Sequence, residues 1–85
     1  MPSFVVTDQM EFDRRRQTCS AARVQFLAEA SKTELALEQL AITVSPETAR
    51  QFAEQLLAET SAYEEYQLAA VRLRDFLQEH LYRVH

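Results

Sequence analysis

The chain has 85 residues, 47 % hydrophobic and 26 % charged, which suits one small folded domain and argues against disorder. Its net charge of −4 disfavours bulk nucleic-acid binding, which needs basic surface to displace counterions, and no apolar run nears the ~20 residues of a membrane span. Glycine is absent where ordinary usage would give about six, so phosphate-cradling loops and tight hairpins have little to build on.

Residues 3–7 are β-branched and aromatic and are expected to be extended. Asp8, with Glu11 three residues on, reads as a capping box opening helix 1, expected over about 9–40. That span is about 48 Å at the α-helical rise. Ser31, Thr33 and Glu34 offer a second capping box that could break it, although no glycine supplies a C-cap. Ala41-Ile42-Thr43-Val44 follows, apolar and β-prone, and is expected to pack against something. Ser45-Pro46-Glu47 then gives an N-cap serine, proline at the first helical position and an acid in the first turn. Helix 2 is expected over about 46–83, some 57 Å long, with its weakest point at Thr60-Ser61-Ala62.

Helix 2 carries a heptad seam. Ala49, Leu56, Tyr63, Ala70, Leu77 and Val84 sit seven apart, interleaved with Phe52, Glu59, Tyr66, Leu73 and His80. Helix 1 carries a poorer one, in which Phe12, Cys19, Phe26, Thr33 and Leu40 alternate with Arg16, Arg23, Ala30, Leu37 and Val44. Val24, Leu27, Ala28 and Leu35 on helix 1, and Leu57, Leu68, Val71 and Phe76 on helix 2, add apolar surface off the seams. Two apolar stripes per helix exceed what one two-helix hairpin covers. The expected fold is all-α: a long antiparallel helical hairpin over 9–85 that dimerises into a four-helix bundle, with a short extended N-terminal arm over 1–8. The core and dimer seam is assigned to Phe26, Leu37, Leu40, Phe52, Leu56, Tyr63, Tyr66, Leu73 and Leu77.

The candidate functional residues are few. Arg14, Arg15 and Arg16 form the basic cluster, but three successive helical residues spread over about 200° and cannot all face one ligand. Solvated surface, paired with Glu11 and Asp13, is the preferred reading. Glu59 on the seam reads as an acid reaching to the edge, the alternative being a buried acid of raised pKa. His80 and His85 lie five apart, without the Glu-x-x-His spacing of helical metal sites, so no metal or other cofactor is expected. Cys19 has no histidine near it in sequence and reads as a small hydrophobe; no enzymatic activity is expected. Tyr63 and Tyr66 share a face and carry hydroxyls that suit the rim of an interface.

Phe4-Val5-Val6-Thr7 before Asp8, or Ile42-Thr43-Val44 before Ser45-Pro46, resembles the strand and cap of ribbon-helix-helix repressors and antitoxins. That family turns tightly between its helices, often at a glycine, and carries basic or polar side chains on the strand; this chain has neither feature. Residues 33–39, followed by the Ser45 cap, look slightly like the small helical-hairpin adaptors of phycobilisome degradation. Neither resemblance assigns a family.

The functional expectation is a non-enzymatic interaction protein, an adaptor, small chaperone, inhibitor or assembly subunit. It is expected to act as a homodimer on another protein, through Phe4, Val5, Val6, Arg14, Arg15, Arg16, Tyr63 and Tyr66. The alternative is a small DNA-binding regulator using a dimeric N-terminal ribbon and Arg14–Arg16. The start lacks the basic residues and apolar stretch of a signal peptide, and the single cysteine can form no internal disulfide. A cytoplasmic protein of bacterial or phage origin, with no membrane contact, is expected.

Overall fold

Two helices account for every residue that the computed structural model describes, 6–80, apart from a three-residue turn. Helix α1 runs Val6–Ile42 and α2 runs Pro46–His80, antiparallel to each other along their length. Helix α1 starts three residues before the expected position, so residues 6–8 are helical and Asp8 lies within the first turn rather than before it. Phe4, Val5 and residues 81–85 fall outside the described residues.

The helices stay unbroken where hydroxyl residues weakened the helical reading. Thr33 Oγ1 donates to the Glu29 carbonyl (3.0 Å) and Thr60 Oγ1 to the Leu56 carbonyl (2.9 Å). Each hydroxyl is satisfied inside its own helix instead of competing for a cap.

The turn needs no glycine because no described residue has positive φ. Thr43 N–H closes the last turn of α1 on the Gln39 carbonyl at 2.9 Å. Ser45 Oγ then accepts the Thr48 N–H (3.2 Å), and Thr48 Oγ1 accepts the Ser45 N–H (3.1 Å). This is a reciprocal cap with threonine in the place usually held by Glu or Gln. Thr48 Oγ1 also donates to the Thr43 carbonyl at 2.6 Å, tying the turn to the new helix. Hydrogen bonds therefore hold the turn. The hairpin itself leaves the apolar residues of the turn uncovered: Ile42 is 77 % and Val44 84 % exposed.

The seam between the helices differs from expectation by one column on each helix. On α2 the covered positions are Phe52, Glu59, Tyr66, Leu73 and His80, alternating with Gln55, Ala62, Ala69 and Phe76. On α1 they are Phe12, Cys19, Phe26, Thr33 and Leu40, alternating with Asp8, Arg15, Ala22, Glu29 and Ala36. One column of each pair matches the expectation. The other lies three residues beyond it, where the expected column lay four beyond. Leu37, Leu56 and Tyr63 consequently flank the seam and are 51 %, 42 % and 42 % exposed. Arg16, Arg23 and Val44 are exposed too.

The result is an elongated object of 61 × 25 × 13 Å with a radius of gyration of 18.6 Å. A compact domain of this length would have a radius near 12 Å. Only Ala62, Ala69 and Phe76 are buried among the described residues, and no large side chain is completely enclosed. No described helix is long and apolar enough to cross a membrane.

Candidate interaction surface

The contacts across the hairpin fix its register. Gln55 meets Glu29, Phe26 meets Tyr63 and Tyr66, Arg15 meets Arg72 and Phe76, and Asp8 meets His80. The Phe26 ring lies 6.2 Å from Tyr66, nearly parallel, and 5.1 Å from Tyr63, tilted by 52°. Those are the separations at which aromatic pairs attract beyond their buried area. The register puts Ala62, one of the buried residues of the seam, level with Phe26. The Tyr63 hydroxyl accepts a hydrogen bond from Gln67 Nε2 at 2.8 Å.

The three arginines point three ways. Arg14 is exposed and pairs with Glu11. Arg15 donates to the same carboxylate (2.6 Å), reaches across to the Arg72 carbonyl (3.2 Å) and lies 5.3 Å over the Phe76 ring. Arg16 is exposed on a different side. The two guanidiniums hold the Glu11 carboxyl below the usual carboxylate range, Arg14 more than Arg15. Glu59 sits half-buried on the seam, and Cys19 is a half-buried free thiol. Among the described residues no group of three His, Cys, Asp or Glu is placed to hold a metal.

The two flanks of the hairpin differ in chemistry. One is polar and holds two shallow clefts. The first, of about 270 Å³, is lined by Glu11, Arg14, Arg15, Thr18, Ala69 and Arg72; the second, of about 260 Å³, by Gln25, Glu29, Ala58, Ser61, Ala62 and Glu65. The opposite flank carries the displaced column of α2: Ala49, Leu56, Tyr63, Ala70 and Leu77. Beside it runs the matching column of α1, with Arg16 and Arg23 near the open end and Ala30 and Leu37 near the turn. Charge periodicity could have separated these flanks in the sequence, since Glu11, Lys32, Glu65, Arg72 and Glu79 all fall on the polar one.

No protein-family model matches the chain, and neither a curated protein nor a solved structure matches it.

Proposed function

We propose that the chain is a non-enzymatic protein–protein interaction module, an adaptor, small chaperone, inhibitor or assembly subunit, that works through the helix faces of a homodimer. One observation carries this reading. The hairpin exposes 6520 Å², whereas a compact monomer of its mass would expose about 5,200 Å². The elongated hairpin thus exposes about 1,300 Å² more than a globule of its mass, as suits an element that completes its packing against another chain. Exposed leucines and valines on both helices supply apolar area for such a contact. The engagement of Arg14 and Arg15 with Glu11 leaves less free charge for phosphates, so the protein-binding reading is preferred to the DNA-binding one.

Sedimentation equilibrium at micromolar concentration tests the proposal, with a dimer of about twice 9.9 kDa expected. A folded monomer throughout that range overturns the dimer. Salt-sensitive retardation of duplex DNA, lost on neutralising Arg14 and Arg16, would move the reading to a nucleic-acid regulator.

A further inference from the structure

We infer that a second copy of the chain docks on the apolar flank, the one bearing Leu37, Leu56 and Tyr63, with the turns of the two hairpins at the same end. The inference rests on the homodimer proposed above and adds which surface is used and how the copies are aligned.

The choice of flank follows from its side chains. Leu56, Tyr63, Ala70 and Leu77 give α2 an apolar column along most of its length on this side. The equivalent column on the polar side of α2 is Gln51, Ala58, Glu65, Arg72 and Glu79, and burying it would strand charges. A two-fold contact uses the same patch on both copies, so the patch must complement itself. Apolar side chains are there to be covered: Leu37, Leu56 and Tyr63 on this flank are 51 %, 42 % and 42 % exposed.

The alignment follows from α1. Its column on this flank is apolar near the turn, at Ala30 and Leu37, and cationic beyond it, at Arg23 in mid-helix and at Arg16 toward the open end. With both turns at one end, α1 of each copy crosses α2 of the other. Leu37 and Leu56 of both copies then share one apolar layer near the turns, and the hairpin register brings the stems of Arg23 and Arg16 level with Tyr63 and Ala70 of the other α2, where they cover these side chains while their heads reach water. With the turns at opposite ends, Arg16 and Arg23 would instead lie over Ala30 and Leu37 of the other α1. Every adjacent helix pair is antiparallel in either arrangement, so the helix dipoles do not choose between them and the side chains of this column do.

Two measurements decide it. In sedimentation equilibrium, Leu37→Ser and Leu56→Ser should each weaken the dimer by about tenfold or more. Leu35→Ser and Leu68→Ser, at exposed positions away from this flank, should leave it within about twofold; circular dichroism verifies helix content in each variant. A nitroxide at Val44→Cys in a Cys19→Ser background should give inter-copy distances under about 30 Å, since opposite-end turns would lie about 50 Å apart along the helices. Loss of the dimer in the Leu35 or Leu68 variants alone overturns the flank, and long label distances overturn the alignment. In both cases the homodimer stands; a wild-type monomer removes the homodimer and the inference together.

Discussion

Gln55 Nε2 donates to both the backbone carbonyl (3.1 Å) and the side-chain carboxylate (2.7 Å) of Glu29 across the hairpin. One amide thus pins two acceptors of one residue, at a seam position where most hairpins would place a leucine. A slip of one residue would separate all these groups, so the contact specifies register as a buried polar residue does in a coiled coil. Glu29 is further held by Lys32 and Gln25 on its own helix.

The Gln55–Glu29 contact has a consequence in acid. The amide of Gln55 is the main cause that lowers the Glu29 carboxyl from its ordinary value, helped by Lys32 and opposed by partial desolvation. A carboxyl that is more acidic folded than unfolded contributes stability that is fully present above its unfolded pKa. That contribution is lost as pH falls through the folded pKa. Gln55→Leu should therefore raise the Glu29 titration midpoint, followed by carboxyl carbon chemical shift, and flatten the loss of thermal stability in acid. An unchanged Glu29 midpoint would exclude Gln55 as the cause. Glu11, lowered by Arg14 and then Arg15, should respond in the same sense to Arg14→Gln.

The turn supplies a second test. Ser45 Oγ is the acceptor for the Thr48 N–H, and no glycine stands ready to relax the backbone there. Ser45→Ala should cost about 1 kcal/mol and Ser45→Gly only a few tenths, because water can reach the freed N–H when no Cβ is present. Thr48→Val preserves shape while deleting the hydroxyl shared with Ser45 N–H and the Thr43 carbonyl, so its cost should equal or exceed that of Ser45→Ala. Urea denaturation with the protein concentration held fixed reads these differences.

The sequence carried the helices, the Ser45-Pro46 start and one column of each seam, because capping chemistry and heptad spacing are local signals. It did not carry the second column. Ranked by apolar content, Leu56 and Tyr63 outweigh Gln55 and Ala62, yet the latter are the more covered, while Leu77 is half-buried beside the seam. The physical reason is that two long helices can approach closely only over small residues, and Ala62 and Ala69 permit that approach. Bulky apolar residues then fall to the flank. The extended reading of Val6 failed for a related reason: the helical run of α1 extends through a β-prone residue. The polar members, Arg15, Glu29 and Gln55, show no apolar signal at all; their role depends on partners far away in sequence.

Close approach over alanine makes its own prediction. Ala62 is 7 % exposed and lies level with Phe26, whose ring is flanked by Tyr63 and Tyr66. Ala62→Leu adds volume at a buried seam position between the helices and should destabilise the hairpin by about 1–3 kcal/mol despite its better hydrophobicity. Leucine at Ala53, which is exposed, should be within about 0.5 kcal/mol of wild type. Equal effects at the two positions would remove the packing argument.

Phe76 is the largest buried side chain among the described residues, 5 % exposed, and it anchors the open end of the hairpin. Arg15 lies over its ring at 5.3 Å and His80 packs beside it at 4.4 Å. Two contributions can be separated by substitution. Phe76→Leu retains most of the apolar volume but removes the π face, and should cost about 1–1.5 kcal/mol, the sum of a conservative core swap and a lost cation–π contact. Phe76→Ala removes the volume as well, for about 3–4 kcal/mol. A domain of this length has only about 4–13 kcal/mol in total, so the alanine variant should melt far earlier. If Arg15 contributes through the ring rather than through Glu11, then Arg15→Met should cost much less in the Phe76→Leu background than in the wild type. A double-mutant cycle by thermal melting measures that coupling. Additive costs would assign Arg15 to its bonds with Glu11 and the Arg72 carbonyl and leave Phe76 acting through packing alone.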